Sequence, residues 1–465
     1  MSQPISLLPQ LPVEFSRRAP LHSPRVAGTA RPTFALYSLG CKVNAADSHQ
    51  IARMLVAQGF RRVEFKECAD LYVIDTCTVT AEADRKSRKA ASRARRNNPA
   101  AVVAVTGCAA TKDAAQFERA APGALVLSNA QKFELPERAL ERLQCQKEWA
   151  KNYDALRAET GSEPIPMPSN VRAVLKIQDG CDHKCSYCII PRVRGASVIK
   201  SKPQLLREAR ELVSEGAREV VVTGVSMGDF SMGANRIKGS KNAALNELLR
   251  SVTLLPEVLR VRTSSLDPAD VDEEWLQVVA SGDGICPHIH LALQSGSKSV
   301  LARMRRRYTP ELYLKWAKRW REINPDAGLT TDVIVGFPGE TEDEWQETLA
   351  LCRAARFSAI HVFPYSPREN TFAADYLKEL GGLVAPEVQK RRVDELLTLA
   401  RELSAQFAAR FFGREVEILV ESVGNGSAEG LLPNYMRARL EAPSARVGDL
   451  LRFVPSTWHD GVLSE

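Results

Sequence analysis

The sequence predicts an α/β protein in three parts: an N-terminal domain on a parallel sheet, a central partial (β/α)6 barrel and a small C-terminal β-barrel. Three observations carry this. Between residues 33 and 144 short apolar runs alternate with helical stretches, the pattern of a parallel α/β sheet. Six further strand–helix units follow from residue 171, and after residue 411 the apolar runs become short and alternating.

In the first domain, residues 31–145, the strand candidates are TFALYSLG, DLYVIDT, AVVAVTG and ALVLSN. Between them fall a helix from Asp47, a basic helix from Asp84 to Arg96 and a helix near Phe117. Residues 1–30 are rich in Pro and Arg and have no apolar core of the kind a secretory signal needs, so they read as a disordered tail. Arg17, Arg18 and Arg25 beside a single Glu14 mimic a transit peptide weakly. Residues 146–170 are polar and end in SEPIPMPSN, a proline-spaced linker. The barrel domain, residues 171–410, has strand candidates AVLKI, EVVVTGV, VLRVRTSSL, HIHLALQSG, TTDVIVGFPG and AIHVFPYS. A long helix from Glu387 to about Phe411 leads into the last domain, residues 411–465, where VEILVES, NYMRARLE and DLLRFVPSTW supply its strands.

No apolar run approaches the roughly 18 residues a membrane helix needs, so a cytoplasmic monomer without membrane contact is expected. Ten cysteines without a secretory address imply reduced thiols. Cys68, Cys145, Cys286 and Cys352 lie outside any motif and are expected to be buried small hydrophobes. The other six fall into two sets of three. Cys41, Cys77 and Cys108 each follow a strand, which brings them to the carboxyl edge of a parallel sheet, where open α/β folds bind ligands. Cys181, Cys185 and Cys188 form one tight run after the first barrel strand, at the face where such barrels keep their chemistry. Each set is one ligand short of a closed metal site, and three thiolates leave one metal position open to substrate. A zinc knuckle completed by His183 is the plainer reading of the compact run, and ordinary buried cysteines the plainer reading of the dispersed set.

Polar or glycine residues mark the other barrel strand ends: Thr223 with Gly224, Ser264 with Ser265, Gln294 with Ser295, and Asp332 ahead of GFPGET. They are candidate cofactor contacts, although glycines there also serve turns. Net charge is +7, which permits a polyanionic partner. Seven cations crowd DRKSRKAASRARR, so Arg88, Lys89, Arg93 and Arg96 are candidate phosphate contacts, against the alternative of a solvated helix face. Arg303 to Arg307 is a second, shorter basic run. From Phe411 onward five Arg face eight acids, a net charge of −3, so RNA binding there would rest on Tyr435, Arg437 and Arg439.

The run QDGCDHKCSYCIIPRVRG, with Tyr187 just before its last cysteine, resembles the signature loop of the radical S-adenosylmethionine enzymes. That resemblance implies a four-iron cluster on Cys181, Cys185 and Cys188 whose free iron binds S-adenosylmethionine. The order of cysteine triad, radical motif and terminal β module is similar to the methylthiotransferase family from residue 33 to about 460. Within it, SLGCKVNAADS, VIDTCTVTAEADRKSR and LQSGSKSVLARMRRRYT resemble the branch acting on N6-threonylcarbamoyladenosine beside the tRNA anticodon. Lys42 and Val43 after Cys41 are the discriminating pair, and with Asn44 they are expected near the target base.

The family resemblance implies a second four-iron cluster on Cys41, Cys77 and Cys108, S-adenosylmethionine as cofactor, and methylthiolation of adenine C2, a carbon with no acidic proton for a base to take. It further implies tRNA, an electron donor protein and a sulfur source as partners, and a TRAM-like terminal module. Two departures stand out: Asp75 where Asn is usual, placing a charge near a cluster, and Ala109 where an aromatic residue is common. The alternatives are the same chemistry on isopentenyladenosine tRNA or on a ribosomal protein side chain, and a non-catalytic metal-stabilised RNA-binding protein.

Overall fold

Parallel strands flanked by helices dominate the computed structural model, which describes residues 31–145, 171–231, 235 and 239–465. The expected tail and linker lie outside the described residues. The chain divides into two units, one comprising residues 31–145 with 189–196, the other residues 171–188 with 197–465.

The first unit has five parallel strands: β1 (Thr33–Ser38), β2 (Arg61–Val63), β3 (Leu71–Thr76), β4 (Val102–Gly107) and β5 (Leu125–Val126), in the order β2-β1-β3-β4-β5. β3 and β4 are buried along their whole length, as central strands covered on both faces must be. The helices are α1 (Lys42–Ala57), α2 (Ala81–Asn97), α3 (Cys108–Lys112), α4 (Ala115–Ala120) and α5 (Leu135–Gln144). α1 starts five residues before the expected Asp47, because Cys41 occupies the N-cap with extended backbone and its carbonyl accepts the Ala45 N–H at 3.1 Å. α2 turns Ala90, Ala91 and Ala94 toward the sheet, so its close-packed face is made of methyl groups and its cations point elsewhere.

The second unit contains β6 (Arg172–Lys176), β7 (Gln178–Asp179), β8 (Val198–Ile199), β9 (Glu219–Thr223), β10 (Arg260–Thr263), β11 (Ser265–Leu266), β12 (His288–Leu291), β13 (Gly328–Val335) and β14 (Ala359–Pro364). β6, β9 and β10 pair in parallel, as do β11 to β14, and β10 and β11 are one run interrupted at Ser264. That makes the six strands of the expected partial barrel. Trp275, Trp320 and Trp345 are fully buried in its core.

The barrel's amino end is closed by charge. Glu219, fully buried, accepts from Arg172 Nε at 2.9 Å, Arg262 Nε at 2.7 Å and Arg260 Nε at 2.6 Å. The same arginines reach the C-terminal segment: Arg172 bonds Glu421, Arg260 the Leu431 carbonyl and Arg262 the Pro433 carbonyl. An ionic group of this kind tolerates burial only because nearly every lone pair finds a donor. The C-terminal segment is a six-stranded sheet of β15 (Val416–Gly424), β16 (Ser427–Leu431), β17 (Arg437–Glu441), β18 (Leu450–Phe453), β19 (Thr457–His459) and β20 (Val462–Ser464), in the order β18-β15-β16-β17-β20-β19. It therefore sits at the end of the barrel opposite the strand ends that carry the cysteine loop.

Two expectations about cysteine fail. Cys286 and Cys352 are buried as expected, but Cys68 and Cys145 are exposed, in the loop before β3 and at the end of α5.

Candidate metal centres

In the first unit the three strand ends gather the dispersed cysteines. Cys41 caps α1, Cys77 follows β3 and Cys108 opens α3. Gly40 has φ +113°, and a Cβ there would lie 2.9 Å from Cys77 Cβ and 3.1 Å from its Sγ, so only glycine lets the Cys41 turn come so close. Burial pushes the Cys77 thiol up to about 12, with Cys41 and Cys108 adding to the rise, and burial raises Cys108 as well. Thiols that raise one another are neighbours, and a thiol can bind a metal only after losing its proton.

A polar network that sequence reasoning missed lies beneath these thiols. Asn44 donates to Asp75 Oδ1 and to the Thr76 carbonyl, both at 3.0 Å, and its own oxygen accepts from Arg194 at 2.6 Å. Ser48 donates to Asp75 Oδ2 at 2.8 Å, and Lys132 pairs with buried Asp47 at 2.7 Å. Asn129 places its amide 3.6 Å from Cys108 Sγ and 2.7 Å from the Val193 carbonyl. Burial and then Asp47 push the Asp75 carboxyl up to about 7, while Ser48, Arg194 and Lys132 hold it down, so the surroundings work against the charge expected there. Val43 and Asn44 are buried, which corrects the expectation that they meet the target base.

In the second unit the compact run lies between β7 and β8. Cys181 accepts the His183 N–H at 3.4 Å and Cys185 accepts from Arg306 Nη1 at 3.1 Å, while Arg306 Nη2 is held by Asp267 at 2.6 Å. Donors aimed at sulfur tune a bound cluster. His183 directs its ring to Ser226 Oγ at 3.1 Å, which argues against the zinc-knuckle reading. Tyr187 packs beside Val300, Met304, Phe337 and Tyr365. Among the described residues no three His, Cys, Asp or Glu side chains close round a single ion. A four-iron cluster asks for less convergence, since each thiolate takes a different iron.

The strand-end candidates divide. Gln294, in the left-handed region at φ +62°, donates its N–H to the Asp332 carbonyl at 2.8 Å, and Asp332 lies 3.2 Å from His290 Nε2 and 3.8 Å from His361 Nδ1. Both histidines escaped the sequence reading, though each stands two places into a strand that had been recognised. Thr223, the last residue of β9, and Ser264, between β10 and β11, are both buried. Gly224 is a packing glycine, since a Cβ there would meet Gln178 at 3.1 Å.

Two family models match, Radical SAM superfamily over residues 175–352 and Uncharacterized protein family UPF0004 over residues 33–128. The chain is 33% identical over 429 residues to the threonylcarbamoyladenosine tRNA methylthiotransferase MtaB of Bacillus subtilis, spanning 90% of this chain and 93% of that one. The chain belongs to the radical S-adenosylmethionine methylthiotransferase family. It is also 36% identical over 455 residues to the tRNA-2-methylthio-N(6)-dimethylallyladenosine synthase of Mycolicibacterium paratuberculosis, spanning 94% and 85% of the two chains. The radical S-adenosylmethionine methyltransferase TsrM of Kitasatospora setae shares the fold at TM-score 0.53 and 14% identity, over 80% of this chain and 89% of that one.

Membership implies a four-iron cluster and S-adenosylmethionine, and the barrel loop fits the cluster: three free thiols, two of them already accepting N–H donors. No helix among the described residues is long and apolar enough to cross a membrane. Of the RNA candidates on α2, Lys89 and Arg96 are exposed and form no salt bridge among the described residues, although Lys89 feels the charge of Glu82. Arg88 bonds Gln116 at 3.0 Å, and Arg93 lies over the rings of Phe65 and Tyr37 at 4.7 and 5.4 Å. Tyr435 is a correction. It is 7% exposed, stacked on His288 at 4.5 Å and covered by Arg262 at 4.8 Å, so no ring face is left for a base. Arg437 and Arg439 both pair with Glu429 on the neighbouring strand.

Proposed function

We propose that the protein methylthiolates adenine C2 of N6-threonylcarbamoyladenosine beside the anticodon of tRNA, holding one four-iron cluster on Cys181, Cys185 and Cys188 and a second on Cys41, Cys77 and Cys108. The observation that carries the substrate is the string Gly40-Cys41-Lys42-Val43-Asn44, in a chain alignable nearly end to end with a relative named for that nucleoside. The convergence of three strand-end thiols supports the second cluster.

When bound, the barrel cluster supplies the electron that cleaves S-adenosylmethionine, and so opens a route to a carbon hydrogen beyond the reach of acid–base catalysis. This chain's residues do the rest by position. Arg306 fixes the Cys185 sulfur against Asp267, and Asn44 with Asp75 and Arg194 sets the floor beneath the second triad. Glycine at position 40 keeps the first ligand turn against Cys77. The terminal sheet is read as a TRAM-like tRNA grip, and an electron donor protein and a sulfur source complete the partners.

Deleting the gene in its own host and profiling tRNA nucleosides tests the substrate. The methylthio form of threonylcarbamoyladenosine should vanish while the parent nucleoside remains. The 36% identity to a dimethylallyladenosine enzyme favours a second reading, in which the methylthio form of that nucleoside is the one lost.

A further inference from the structure

We propose that Arg305, Phe372 and Tyr376 form a stacking platform beside the radical cluster loop that takes one unpaired base of the substrate RNA next to the nucleotide being modified. The inference rests on the tRNA reading above and names the subsite by which that loop would be held.

The platform is a three-layer stack. The rings of Phe372 and Tyr376 lie 4.4 Å apart and 21° from parallel, and the Arg305 guanidinium sits 3.6 Å from the Phe372 centroid. One ring face cannot hold both neighbours, so Phe372 is the middle layer and Tyr376 the outer one. Tyr376 is 46% exposed, which leaves the outer side of the stack open to a base.

The stack is built onto the cluster loop. Ser186, between Cys185 and Cys188 and 1% exposed, donates its N–H to the Met304 carbonyl at 3.0 Å and its hydroxyl to the Arg303 carbonyl at 2.8 Å. Its own carbonyl accepts the Ala373 N–H at 2.8 Å. Arg305 follows Met304 and Phe372 precedes Ala373, so both layers are fixed to the residue that the cluster ligands flank.

Arg305 is also placed at a cost. The helix Lys298–Arg303 ends with Met304 as its cap, and Arg305 takes the next position at φ +57°. Its N–H bonds the Ala302 carbonyl, and the Arg306 N–H bonds that of Leu301. This double bond pattern ordinarily carries glycine at the left-handed residue. A long side chain there is held against its backbone preference. The neighbouring cations are spent: Arg303 on Glu344, Arg306 on Asp267 and Cys185, Arg307 on Asp270. Arg305 has no carboxylate partner among the described residues. Asp375 lies on the same short helix as Phe372, so charge alone would not draw phosphate here. A flat aromatic face backed by a guanidinium suits a nucleobase of a single-stranded loop.

The test measures affinity of the reconstituted holoenzyme for an anticodon stem-loop RNA and for a blunt duplex of the stem alone. Tyr376→Ala should weaken stem-loop binding about tenfold, as loss of one base stack does, and leave duplex binding as it was. Tyr376→Trp should restore it, with iron content and melting temperature reporting intact folding in both. A Tyr376→Ala protein that is folded and binds the stem-loop within about twofold of wild type would overturn the platform. So would unchanged RNA binding with slower cluster reduction by reduced flavodoxin, which would make the stack a protein-docking patch. Failure of the wild-type protein to bind the stem-loop at all would instead sink the tRNA reading, and the platform with it.

Discussion

Tyr435 shows how a residue's neighbours decide its work. In the sequence it stands two places before Arg437 and four before Arg439, which is the pattern of a base-stacking residue with cations beside it. In the fold its ring closes the amino end of the barrel, between His288 and Arg262, with φ +76°. Tyr435→Ala should therefore cost about 3–5 kcal/mol of stability by chemical denaturation, as large-to-small changes in a packed core do. Its tRNA affinity, measured on protein that remains folded, should match wild type. Asn44 makes the same point for polar residues. Nothing in GCKVN reveals that its amide will bridge Asp75, the Thr76 carbonyl and Arg194, because those partners come from distant parts of the chain.

At the scale of elements, the basic helix α2 is legible as a helix from its alanines and spacing, and its boundaries fall within three residues of those expected, with Thr80 as the cap that the structure adds. Which of its cations are available was not legible, because Gln116, Phe65 and Tyr37 lie elsewhere in sequence. The availability sets a graded outcome. Lys89→Glu with Arg96→Glu should weaken tRNA binding and flatten its dependence on salt, since each lost phosphate contact removes about 0.7–0.9 from the logarithmic slope. Arg437→Ala with Arg439→Ala should change the slope less, because Glu429 already neutralises one of those charges. Salt titrations of tRNA binding on both double variants decide between the helix and the sheet as anchor. Strands were read well where they are long and apolar. β2, three residues reading Arg-Arg-Val, and β16, reading Ser-Ala-Glu-Gly-Leu, carry too little apolar pattern to be seen without their partners.

For the whole molecule, the two cysteine sets were legible because strand-end placement and tight spacing are local signals that survive folding. The hydrogen-bonded surroundings of those thiols were not, since Arg306, Arg194 and Asn129 meet them across the fold. Replacing Cys181, Cys185 and Cys188 together with Ala should remove about half the iron and abolish cleavage of S-adenosylmethionine. The same change at Cys41, Cys77 and Cys108 should remove the other half, leaving cleavage in place and sulfur insertion lost. Iron analysis and product assay on anaerobic protein check both. The most direct measurement incubates the reconstituted wild-type enzyme with S-adenosylmethionine, sulfide and reductant, in parallel with tRNA carrying N6-threonylcarbamoyladenosine and tRNA carrying isopentenyladenosine, and follows nucleosides by mass spectrometry. A methylthio group gained by the first tRNA alone is the predicted result, and its appearance on the second tRNA alone, or on neither, would contradict the account.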